Sequence, residues 1–178
     1  MTGVFQPYRG VWPEIAADAY VADTAVVVGD VVIGAESSLW FGVIARGDVN
    51  DIRIGERTNI QDGTVIHVSR ALQGTYIGDD VTIGHMALLH ACTLEDGCFI
   101  GMRACVMDGS VVESGAMVAA GALVTPGKHV KAGELWSGVP AKVMRQLRPD
   151  EVAHMSEAAA RYRRLAAEYR RASARAPA

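Results

Sequence analysis

Aliphatic side chains recur at every sixth residue along most of this chain, and that period excludes nearly every fold. Ile15, Val21, Val27, Ile33, Leu39 and Ala45 share one frame. The frame shifts across residues 47–53 and resumes at Ile54, Ile60 and Ile66. It shifts again across residues 69–75 and resumes at Ile77, Ile83 and Leu89. A last slip leads to Leu94, and from there it runs unbroken through Ile100, Val106, Val112, Val118, Val124, Val130 and Trp136. An α-helix repeats every 3.6 residues and an amphipathic strand every two, so neither keeps this pattern on one face.

A parallel β-helix does keep it, with each hexapeptide forming a short strand and a corner. The aliphatic residue points into the prism. The residue four places on points inward too and is small, as at Ala19, Ala25, Ser37, Thr58, Thr64, Ala87, Cys98, Ala104, Ser110, Ala116 and Ala122. The residue just after the aliphatic is usually Gly or Ala, as at Gly34, Gly55, Gly78, Gly84 and Gly101, which lets stacked corners approach closely. Three hexapeptides make a triangular coil of about 18 residues. The first dozen residues read as an irregular lead. Pro140 cannot donate to a ladder and marks the exit from the solenoid. A helix is predicted beyond it, with Asp150 as N-cap and an apolar stripe at Val152, Met155, Ala159, Tyr162, Ala166 and Tyr169. The stripe predicts packing on the prism or on a neighbouring subunit, and the helix arginines a solvated face. The domain reading is therefore a β-helix over 1–148 and a helix with a frayed tail over 149–178.

Composition narrows the function. Net charge is −3 and no basic run precedes the C-terminal tail, which points away from nucleic acid. No apolar stretch approaches the roughly 20 residues that span a bilayer, so no membrane role is expected. The N-terminal residues show no charged start and apolar run of a secretory signal. Cys92, Cys98 and Cys105 lack a C-x-x-C spacing and read as reduced core residues of a cytoplasmic protein.

Three of the five histidines, His67, His85 and His90, fall in the middle coils. Imidazole is the usual zinc ligand at neutral pH, and three histidines with one open position make a catalytic zinc pattern. Arg46, Gln61, His67 and His90 all replace the small residue after an inward aliphatic, which gathers polar groups on consecutive coils. Trp40, Glu95, Met107, Glu113 and Lys131 are the other large exceptions. His67 and His85 stand about one coil apart and are expected to stack on one face, with His90 on the next. One prism cannot easily bring two faces to one metal, so the site is expected between subunits, with three prisms giving three equivalent sites. Two other readings of the same histidines are an acyltransferase with His85 or His90 as general base, and a metal-binding scaffold with little or no catalysis. His129 reads as a late corner residue and His154 as a structural or exposed helix residue.

The segments A-R46-G-D48, T-N59-I-Q61-D62-G-T-V-I-H67-V, I-G-H85-M-A-L-L-H90-A-C, G-M-R-A-C-V-M-D-G and W-S-G-V-P-A-K together resemble the γ-class carbonic anhydrases over about residues 10–155. The resemblance implies a homotrimer of left-handed β-helices, each with a C-terminal helix. It implies a zinc or iron ion between subunits, held by His67, His85 and His90, two from one chain and one from the next. Arg46 and Asp48 match the family's Arg-x-Asp pair, and Asn59 and Gln61 match polar residues near the metal-bound water. The implied reaction is hydration of carbon dioxide to bicarbonate by a metal-bound hydroxide. The chain departs from the family's prototype in two places. Val49 stands where the prototype has Glu, and residues 69–75 carry no carboxylate where it has an acidic, proton-shuttling loop. Both departures bear on how a proton leaves the site.

Overall fold

A computed structural model describes residues 3–173. The hexapeptides wind into a parallel β-helix of about 7 turns, closed at its end by a hairpin and flanked by one helix. The first face stacks Val4–Gln6, the starts of Val26–Ile33 and Ile44–Ile54, then Val65–His67, Leu88–His90, Cys105–Val106 and Leu123–Val124. The second stacks Glu14–Ile15, the ends of the same two long strands, then Thr75–Ile77, Thr93–Leu94, Val111–Val112 and His129–Val130. The third stacks Tyr20–Val21, Ser38–Leu39, Asn59–Ile60, Thr82–Ile83, Phe99–Ile100, Met117–Val118 and Glu134–Gly138. Ala141–Gln146 folds back antiparallel on the last of these, and Pro140 lies in the turn, as its missing N–H requires.

The periodic aliphatics line the prism, and all are buried except the partly buried Ile15 and Trp136 at its two ends. The small inward positions from Ala19 to Ala122 are buried as well. At four of them a hydroxyl does what a methyl cannot. Ser37, Thr58, Thr64 and Ser110 donate to the corner carbonyls of Gly55, Gly78, Gly84 and Thr125. These bonds satisfy backbone groups that a corner leaves without a ladder partner. The glycine rule has a steric basis. A Cβ built on Gly101 would stand 2.4 Å from the Ala120 amide nitrogen, and one on Gly34 would stand 2.5 Å from the Gly55 carbonyl oxygen.

Three expectations change. The N-terminal lead is not wholly irregular, because Val4–Gln6 adds a first strand against Val26–Val28. His129 belongs to a strand rather than a corner. The C-terminal helix, α1, spans Pro149–Ser173, so Asp150 lies inside it and is not the cap. Arg148 precedes the helix, and its carbonyl accepts from the Glu151 and Val152 amides. Glu151 reaches back to the Arg148 amide at 2.9 Å, half of a capping box. Pro149 takes the first helical position, where its missing N–H costs nothing.

Helix α1 lies across the third face. Met155, Ala158, Ala159 and Ala166 are buried there, whereas Val152, at the open end of the predicted stripe, is exposed. Trp40 breaks the small-residue rule because it fills the space under α1. Its ring meets Tyr162 and Tyr169 edge-on, with centroids 5.5 and 5.2 Å apart. The helix arginines point to solvent, as expected. Residues 174–178, most of the expected frayed tail, lie outside the described residues. No helix among the described residues is long and apolar enough to cross a membrane.

Candidate metal centre

The β-helix register divides the candidate residues into two groups on different faces. On the first face His67 stands opposite His90, with ring centroids 5.2 Å apart. Arg46 and Asp48 lie one coil below on the same face, where Arg46 donates to Asp48 Oδ2. Asp48 Oδ1 is 3.2 Å from His67 Nε2. His85 is elsewhere, just after strand Thr82–Ile83 at the edge of the third face. With it are Asn59 on the neighbouring strand and Gln61 and Asp62 just beyond.

This corrects the expected pairing of His67 with His85. An 18-residue step is one coil only where no insertion intervenes. The segment after His67 lengthens that coil, so the strand above Val65–His67 is Leu88–His90. His85 comes one strand too early and emerges on a different face. A split of three histidines over two faces survives, but the stacked pair is His67 and His90.

Each ring has a carboxylate. His90 Nδ1 is 2.9 Å from Asp108 Oδ2, and His85 Nδ1 is 2.9 Å from Asp62 Oδ2. Neither aspartate was singled out as a site residue from the sequence. Asp108 had a signal, since it follows His90 by 18 residues, about one coil. Asp62 stands beside Gln61 but faces His85 only through the register. Burial raises the Asp48 carboxyl, yet Arg46 and His67 together hold it below the usual carboxylate range, so it stays ionised. Burial pushes the His67 imidazole below its ordinary value, against the pull of Asp48.

Gln61 and Asn59 are both buried. Gln61 Nε2 donates to Asn59 Oδ1 at 3.1 Å, and Asn59 Nδ2 donates to Thr82 Oγ1 at 2.9 Å. That chain fixes the Gln61 amide, leaving its carbonyl and second N–H for the groove that it lines with His85. Val49 packs, partly buried, against the prism core. Cys92 and Cys98 are free and buried inside the prism, and burial pushes the Cys92 thiol up to about 12. Cys105 departs from the core reading. It sits half-buried on the outer side of the first face, its thiol 3.3 Å from the Met107 sulfur.

Among the described residues of one chain, no three His, Cys, Asp or Glu side chains gather as a metal site. The donor chemistry fits a metal nonetheless. A ligand histidine ordinarily gives its second nitrogen to a carboxylate, which fixes tautomer and ring orientation. His85 and His90 have that arrangement on Nδ1, leaving Nε2 open. His67 differs, because its Nε2 faces Asp48.

No family model matches the chain. Individual proteins do. "Gamma carbonic anhydrase 2, mitochondrial" of Arabidopsis thaliana is 49% identical over 86% of this chain and 57% of its own length. The chain thus spans somewhat over half of that relative. "Carbonic anhydrase" of Geobacillus kaustophilus is 45% identical over 84% of this chain and 81% of its own length. Among solved structures, a hexapeptide transferase family protein from Anaplasma phagocytophilum superposes with TM-score 0.91 at 47% identity, covering 95% of this chain and 99% of its own. A putative acetyltransferase from Bacillus cereus superposes with TM-score 0.92 at 37% identity, covering 95% and 98%. The fold is the left-handed β-helix of the hexapeptide-repeat proteins. With relatives this similar over most of both chains, this protein belongs to the γ carbonic anhydrase family.

Proposed function

We propose that the protein hydrates carbon dioxide to bicarbonate at a metal site shared between protomers of a homotrimer. The observation that carries this reading is the division of the histidines. His67 and His90 form a stacked pair on the first face, and His85 stands alone on the third, so a complete three-histidine set needs a second copy. Exposed apolar side chains accompany both halves. Ile44 and Leu88 flank the first-face pair, and Phe41, Met86 and Met102 lie near His85. In a closed ring the first face of each protomer meets the His85 edge of the next, and the contact repeats three times.

Zinc or iron held by the three imidazoles supplies the Lewis acidity that makes water a nucleophile near neutral pH. The chain's own residues do the rest. Asp108 and Asp62 hold the rings of His90 and His85 at Nδ1. Arg46 pins Asp48 as a carboxylate beside His67, and that carboxylate is the anion His67 releases on turning Nε2 to a metal. Asn59 locks the Gln61 amide, which orients a water molecule or bonds the oxygen on which negative charge develops.

The test is metal content per chain on untagged protein purified without added metal, followed by a CO₂ hydration assay. About one zinc or iron per chain, lost in His90→Ala, with hydration activity in the parent, supports the reading. Absence of metal after reconstitution sinks it. The likeness to the putative acetyltransferase of Bacillus cereus favours acyl transfer as the second reading. Under it, acetyl transfer from acetyl-CoA appears in the parent and vanishes in His85→Ala. Metal binding without either activity would leave the scaffold reading.

A further inference from the structure

Four of the five imidazoles have a carboxylate partner. His67 has Asp48, His85 has Asp62, His90 has Asp108 and His129 has Glu113. His154, on α1, has none among the described residues. It is exposed, and its ring leans on Phe99 with centroids 6.2 Å apart. Between α1 and the third face runs a groove of about 290 Å³. Gln61 and His85 line it from the solenoid, and His154, Arg161 and Tyr162 line it from the helix. Those three helix residues and His85 are the titratable or charged groups facing the groove. Arg161 also lacks a carboxylate partner among the described residues, so nothing in the groove clamps a ring at His154.

Hydration consumes one CO₂ and one water and yields one bicarbonate and one proton. The proton must reach bulk solvent on every turnover. Asp48 is ill suited to carry it, since its pairing with Arg46 holds its charge in place. Val49 and residues 69–75 offer no carboxylate. An imidazole without a fixed partner is suited, because it accepts at one nitrogen and releases from the other and its ordinary pKa lies near neutrality. We propose that His154 is the proton-transfer residue of this enzyme, receiving the proton through groove water from the His85–Gln61 side and delivering it to buffer at the exposed end. The inference rests on the CO₂ hydration reading.

The test compares parent and His154→Ala, both metal-loaded, by stopped-flow hydration in dilute and in concentrated imidazole buffer. The expected variant keeps its metal content and its kcat/KM for CO₂, loses about tenfold or more in kcat in dilute buffer, and recovers in concentrated imidazole. His154→Gln, which keeps the bulk of the side chain, should lose kcat alike. A readout independent of turnover is the metal content per chain, expected to be the same in the parent and in both variants, and a loss of metal in either overturns the proposal. Equal kcat in dilute buffer overturns the proposal, and so does a joint fall of kcat and kcat/KM that imidazole does not restore. A metal-loaded parent that hydrates no CO₂ overturns the functional reading and this one together, whereas the other failures leave hydration standing.

Discussion

Two variants, His85→Ala and His90→Ala, each remove one side of the proposed shared site. In the proposed trimer, each variant alone leaves every interface short of one ligand, and each should hold little metal. Mixed in equal amounts, unfolded and refolded together, they restore some sites. An interface is complete only where the first face of a His85→Ala chain, with His67 and His90 intact, meets the His85 of a His90→Ala chain. Random assembly makes that combination at about one interface in four, so metal should rise to about 0.25 per chain. The register supplies a control. His67 and His90 stand opposite each other on the same face of one chain. A mixture of His67→Ala with His90→Ala therefore leaves no first face complete, and should recover nothing. Metal is read by elemental analysis, and co-assembly by native mass spectrometry of chains made distinguishable by mass. The division between protomers is refuted if the first mixture co-assembles and stays empty, or if the control mixture gains metal.

Other outcomes follow from the frame. Thr58→Val removes the donor to the partly buried Gly78 carbonyl and the acceptor for the buried Val81 amide. It should cost about 2–4 kcal/mol in urea unfolding, where Thr58→Ser, which keeps the hydroxyl, costs less. Gly101→Val drives a side chain into the backbone of residues 119–120 and should destabilise by about 1–3 kcal/mol, seen as a lower Tm. Glu151 is held at about 2 by Arg145 and by the Arg148 amide. A carboxyl with a depressed folded pKa stabilises above its unfolded value of 4.5, and that stabilisation is lost as pH falls towards 2. Glu151→Gln should therefore flatten the acid dependence of stability in that window, measured by circular dichroism. Cys92 and Cys98 should resist a thiol reagent in native buffer and react in urea, because burial excludes the thiolate.

The candidate residues were legible as types and in part as neighbours. Imidazoles in the middle coils and polar groups at positions reserved for Gly or Ala stand out against a period this strict. Asp62 and Asp108 were each quoted within a motif without a task. Their function is to face a histidine on another coil, and only the register fixes that facing. Trp40 looked like another exception of the same kind, but it packs beneath α1.

The sequence by itself determined the solenoid. One aliphatic in six and one small residue four places on specify which side chains point inward, and that local rule is obeyed from Ile15 to Trp136 whatever the rest of the chain does. It also placed the exit at Pro140 and the helix beyond. Only the tertiary structure decided which histidines meet. The period counts residues, but an insertion changes how many residues make one turn, and the ladder hydrogen bonds choose where the next strand lands. That choice put His90 over His67 and sent His85 to another face. It also laid α1 across the third face, bringing His154, distant in sequence, to the groove that His85 lines.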